Sequence, residues 1–100
     1  MKMLMIMYNE ALDNEVMEAL DNSSINGYTK ITKVFGRGKK SGTHLGTDIW
    51  PGLNNILYVA CEKIQFDKLI AQVKELRDRA GNEGIKAFVL PLEEIGGTPL

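Results

Sequence analysis

The chain has 100 residues, a formal net charge of −1, 44% apolar residues and 25% charged residues. That is one domain with a core of modest size, in the composition of a soluble globular protein. The near-zero charge excludes a global attraction for nucleic acid or for an anionic membrane, so any anion site must be local.

The first ten residues, MKMLMIMYNE, hold an apolar run too short for a secretory leader or a membrane span. The near-continuous apolar stretch Lys2 to Tyr8 predicts a strand buried on both faces. Asp13 is placed to cap a helix, with Glu15 in its favourable first turn. Val16, Met17 and Leu20 at helical spacing carry that helix to about Asn22, where the turn formers of NSSING end it. Gly27 to Phe35, GYTKITKVF, mixes β-branched and aromatic residues with lysines, the pattern of a strand with one wet face.

Leu53 to Cys61, LNNILYVAC, predicts a third strand. Phe66, Leu69, Ile70, Val73, Leu76 and Ala80 then repeat at spacings of three and four, predicting a helix over about Gln65 to Ala80. Ile85 to Leu90 reads as a fourth strand stopped by Pro91. The residues beyond about 95 predict a flexible tail. Two strand–helix–strand units in this order predict an α+β, ferredoxin-like βαββαβ fold, a four-stranded antiparallel sheet with both helices on one face. The other face would be bare and apolar, which points to an oligomer.

Between the second and third strands lies a run of different character, VFGRGKKSGTHLGTDIWPGLNN. It holds five glycines, three clustered cations, the only histidine and the only tryptophan. Gly36, Gly38 and Gly42 alternate with Arg37, Lys39 and Lys40. Glycines let backbone N–H groups turn inward around an anion, and cations neutralise phosphate. A solvated loop kept soluble by its lysines fits the same composition. The spacing is not that of the nucleotide-hydrolase phosphate loop. His44 and Asp48 form a thin candidate metal pair, with Cys61 or Glu62 as further ligands. Trp50 offers a face for stacking or a plug for its own loop.

Catalysis has little support. Cys61 ends an apolar strand, as inert core cysteines do, and Ser41 has no evident triad. Tyr28, Phe35 and the lysines do not make the aromatic pattern of RNA-binding sheets, which argues against nucleic acid. The lone cysteine fits a reducing, cytoplasmic compartment.

Three stretches carry a family resemblance: LDNEVMEAL, GYTKITKVFGRGKKSG and IKAFVLPLEEI. They resemble the nitrogen-regulatory PII signalling proteins and their PII-like relatives over residues 1 to about 95. That family reads Leu-Asp-Glu-Val-x-x-Ala-Leu in its first helix. It continues with Gly-x-Thr-x-x-x-Val, then Gly-x-Gly-Arg-x-x-Gly, and closes with Gly-Lys-Ile-Phe-Val-x-Pro-Val-Glu-Glu. The resemblance implies a non-enzymatic homotrimer that binds a small anionic effector (ATP, ADP or AMP) in clefts between subunits. It implies that residues 37–52 form a loop that touches a regulated transporter or enzyme. The ligand residues it implies are Thr29, Gly36, Arg37, Gly38, Lys39, Lys40, Gly84 and Lys86. Lys39 stands where the family has a phosphate-facing arginine.

The sequence also departs from the pattern. The loop is short and has no tyrosine between Gly36 and Pro51. Ile85 replaces the glycine before the lysine, and Lys40 replaces a glutamine linked to metal and oxoacid sensing. These changes point away from 2-oxoglutarate sensing and towards a changed ligand. A metal-responsive relative using His44 and Asp48 is the alternative.

Overall fold

In a computed structural model of the chain, residues 1–36, 53–80 and 84–99 are described. Strand β1 (Lys2–Asn9) leads through a 3₁₀ turn (Glu10–Leu12) into helix α1 (Asp13–Asn22). Strands β2 (Thr29–Phe35) and β3 (Leu53–Cys61) follow, then helix α2 (Lys63–Arg79) and strand β4 (Ile85–Pro91). The sheet order is β2-β3-β1-β4, with every neighbouring pair antiparallel. This is the ferredoxin-like arrangement expected from the element order.

The strand register explains the core. Leu4 pairs with Val59, Ile6 with Leu57 and Tyr8 with Asn55, all facing the helices. Their side chains meet Val16, Ala19 and Leu20 of α1 and Leu69, Val73 and Leu76 of α2. The expectation that β1 is buried on both faces does not hold for the chain by itself. Burial alternates along it, because both helices pack on one side. Met7, Ile31, Phe88 and Leu90, on the other side, expose 36–44% of their surface. The apolar composition that suggested two buried faces is real, but one of those faces is half-exposed in the single chain.

Asp13 does not cap α1. Asn9 caps the preceding 3₁₀ turn instead, its Oδ1 accepting from the Ala11 N–H at 2.9 Å. At the other end of α1, Ser24 takes a left-handed conformation at φ 59°. The Ile25 N–H reaches back to the Leu20 carbonyl and the Ser24 N–H to the Asp21 carbonyl, each at 3.0 Å. That is a Schellman closure with serine where glycine is usual, and it turns Ile25 into the core. Helix α2 starts earlier than its apolar stripe, because Gln65 folds back. Its Oε1 accepts from the Glu62 N–H and its Nε2 donates to the Ser24 carbonyl. Near the C-terminus, Glu94–Ile95 (β5) and Thr98–Pro99 (β6) pair as a minimal hairpin.

Candidate functional site

The exit of β2 and the entry of β4, which carry the expected ligand residues Gly36, Gly84 and Lys86, lie at one end of the sheet. Phe35 pairs with Leu53, Asn9 with Asn54 and Tyr8 with Ile85. Gly36, leaving β2, and Gly84, entering β4, therefore lie at the same end of the sheet, on its two opposite edge strands. Of the two, Gly84 has a backbone reason to be glycine, whereas the neighbour at Gly36 is the end of a side chain. A Cβ on Gly36 would stand 2.9 Å from the Asn54 Nδ2. Gly84 has φ +82°, and its carbonyl accepts from the Asn9 N–H at 2.7 Å.

Thr29 opens β2 and Lys86 sits near the start of β4, both exposed. Thr29 pairs with Tyr58, Tyr58 with Met5 and Met5 with Phe88. Directly paired residues share a face, so Thr29 and Lys86 both look away from the helices. They stand on the two opposite edge strands, three strand spacings or roughly 14 Å apart across the sheet and two residues apart along it. One chain thus carries Thr29 and Gly36 on one edge strand, at its two ends, and Gly84 and Lys86 together on the opposite edge strand.

Arg37, Gly38, Lys39, Lys40, His44 and Asp48 lie outside the described residues. Of the further metal ligands considered, Cys61 is 3% exposed in the core, where burial pushes its thiol pKa up. A buried neutral thiol is a poor ligand. Glu62 is taken up at the start of α2. No group of three or more His, Cys, Asp or Glu side chains that could hold a metal occurs among the described residues.

A polar cluster at this end of the fold was not foreseen. The Asp13 carboxylate accepts from the buried Tyr8 hydroxyl at 2.6 Å and from the Asn55 amide at 3.3 Å. The Lys30 ammonium stands 2.8 Å from the same oxygen. Partial burial works against ionising Asp13, but the Lys30 ammonium, the Tyr8 hydroxyl and the Asn55 amide outweigh it and hold its pKa below the ordinary value. Burial, reinforced by the bond to Asp13, pushes the Tyr8 phenol far above its usual range. A hint lay in the sequence: a tyrosine and an asparagine at inward positions of strands need polar partners.

A family profile described as nitrogen regulatory protein P-II matches residues 1–97. The chain belongs to the P-II family. A GlnB-like protein 1 of the nitrogen fixation nifHD region of Methanothermococcus thermolithotrophicus is 26% identical over 95 residues. That match spans 94% of this chain and 90% of the relative. Among solved structures, CPII of Thiomonas intermedia K12 has the same fold. Its form bound to ADP, AMP and acetate matches with a TM-score of 0.67 at 16% identity, over 89% of this chain and 82% of that one. Its form bound to ADP, AMP and bicarbonate matches with a TM-score of 0.68 at 18% identity, over 88% and 81%.

β2 carries an irregularity where the sequence departs from the family pattern. The P-II pattern has three residues between its threonine and valine, and this chain has four between Thr29 and Val34. The register absorbs the extra one. Ile31 pairs with Ile56 and Val34 with Asn54, so β2 advances three residues while β3 advances two. Lys33, within this bulge, has φ 58°. Beyond the bulge Phe35 pairs with Leu53, just before Gly36. P-II proteins are signalling proteins rather than enzymes, and no helix among the described residues is long and apolar enough to cross a membrane.

Proposed function

We propose that this P-II protein binds an adenine nucleotide or a similar anionic effector between neighbouring copies of itself and reports its occupancy to a partner protein. The observation that carries this reading is the separation of Thr29 and Gly36 from Gly84 and Lys86 on opposite edges of one sheet. In a cyclic assembly the edge of one copy meets the opposite edge of the next, which unites the two halves. The apolar face away from the helices supplies the area for such an assembly, a homotrimer in keeping with the family. Lys86 and Lys39 neutralise the anionic group, the glycine backbones of 36, 38 and 84 donate N–H groups, and Thr29 meets the ring. Arg37 and Lys40 add charge, and the segment 37–52 touches the partner, a transporter or enzyme in the cytoplasm. The ADP, AMP and bicarbonate held by CPII support this choice of effector class.

The test is thermal melting against ATP, ADP, AMP, bicarbonate, 2-oxoglutarate and zinc, repeated on the Lys39→Ala, Lys86→Ala double variant. A ligand that binds only the folded state at a hundred times its Kd raises stability by about 2.7 kcal/mol. The expected result is a rise with an adenine nucleotide that the double variant loses while keeping its assembly. A rise with zinc alone, lost in His44→Ala, would replace this reading with a metal sensor.

A further inference from the structure

β2 is poorly attached to the helical layer. None of its residues is fully buried, and only Lys30 and Val34 are half-buried. It hydrogen-bonds to β3 on one side, and no described strand pairs with its other edge. Its ladder is also broken by the bulge between Ile31 and Val34. Val34 pairs with Asn54 on the face away from the helices, whereas Lys30 pairs with the core residue Leu57 and faces them. The side-chain link described from β2 to the helices is Lys30 to Asp13, at 2.8 Å. Asp13 is itself held from below by Tyr8 of β1 and Asn55 of β3. The strand so anchored carries Thr29, next to Lys30, and delivers Gly36.

We infer that Asp13 is a positioning residue for the effector site: through Lys30 it pins the β2 edge strand, and with it Thr29 and Gly36, in the geometry that the ligand needs. This rests on the effector reading above. It makes a prediction opposite in sign to simple electrostatics. Asp13 carries a negative charge at the end of the fold where an anion is to bind. Its removal without loss of the clamp would tighten binding of an anion. Loss of the clamp weakens binding, because the ligand must then order β2 itself.

The experiment is ADP titration of the wild type, Asp13→Asn, Lys30→Met and Lys30→Arg, with amide hydrogen exchange of β1 and β2 in the same samples. Wild type binding ADP, Asp13→Asn and Lys30→Met binding about tenfold more weakly and Lys30→Arg near wild type are the expected results. β2 amides should lose protection in the two weakened variants while β1 amides keep theirs. Equal or tighter binding by Asp13→Asn overturns the inference, as does an equal loss of protection in β1 and β2, which would mark a general stabilising contact. If the wild type binds no ADP, the effector reading falls instead. The exchange data then still decide the clamp, unchanged β2 protection overturning it.

Discussion

Thr29 and Lys86 look out from the same face of the sheet but from its two opposite edges, with Tyr58 and Met5 between their strands. A ligand that needs both side chains therefore draws them from two copies of the chain. This gives a complementation test. Thr29→Trp, which blocks the β2 half, and Lys86→Ala, which removes the β4 cation, should each abolish nucleotide binding as pure assemblies. Mixed by co-refolding in equal amounts, they should regain it at about one site in four, where an intact Thr29 meets an intact Lys86. Calorimetric stoichiometry reads this directly. No recovery in verified mixed assemblies would place both residues of each site on one copy.

The apolar sheet face sets a second expectation. Phe88 and Met5 are paired on that face and have no core role within the chain. Phe88→Glu puts a charge into any interface formed there. It should break the assembly while leaving far-UV circular dichroism unchanged. Sedimentation velocity distinguishes a folded monomer from an unperturbed oligomer, and the latter would mean that copies meet elsewhere. Leu57→Ala is the contrasting control. Leu57 is fully buried against the helices, and its truncation should cost about 2–5 kcal/mol. In a chain this size that lowers the melting midpoint by roughly 10 °C or more.

The Asp13–Tyr8 pair predicts the shape of the pH–stability curve. The Asp13 pKa is lowered from an ordinary value of 3.8, so its ion pair with Lys30 stabilises the fold at neutral pH. That contribution persists above the unfolded value and is lost as pH falls through the lower folded one. Tyr8 is shifted upward from 10.0, so its neutral form is preferred by the fold. Stability should fall once pH rises past about 10, where the unfolded chain releases the proton and the folded chain keeps it. Denaturant midpoints should thus be level with respect to this pair between roughly pH 5 and 9 and decline on both sides. Asp13→Asn should flatten part of the acid limb, and Tyr8→Phe part of the alkaline limb. Limbs of unchanged slope in both variants would assign the titration to other groups.

What the sequence disclosed and what it hid separate by range. Leu69, Val73 and Leu76 announce α2 because helical spacing is a local property, and the alternation in β3 does the same for Asn55, Leu57 and Val59. The partners of Asp13 come from three different strands, so its apparent fit as a helix cap won over a role that only the assembled sheet creates. The spacing of Thr29 and Val34 betrays one extra residue in β2, but only the pairing with β3 shows that it is absorbed as a bulge at Lys33. The expected ligand residues Thr29, Gly36, Gly84 and Lys86 rest on the family pattern. Their division between opposite edges follows from strand order. The tail hairpin around Gly96 and Gly97 was missed because two-residue strands carry no periodicity.

The bulge yields the least intuitive expectation. Deleting a residue from the middle of a strand normally flips every later side chain to the opposite face. Here β2 carries one residue more than β3 between two matched pairs, Ile31 with Ile56 and Val34 with Asn54. Removing Lys33 leaves Thr32 opposite Asn55 and keeps Val34 opposite Asn54, so the ladder closes without shifting Phe35 or Gly36. It also removes a non-glycine residue from the left-handed region, a conformation that costs about 1–2 kcal/mol. The Lys33 deletion should therefore fold, with a melting midpoint at or above that of the wild type. Lys33→Gly, which keeps the bulge but relieves its strain, should be stabilised by roughly 0.5 kcal/mol. Deleting Tyr58 from the regular part of β3 should unfold the protein. Heteronuclear NMR spectra of the three variants check this. Collapse of the Lys33 deletion to an unfolded spectrum would mean that the bulge is required by the fold rather than accommodated by it.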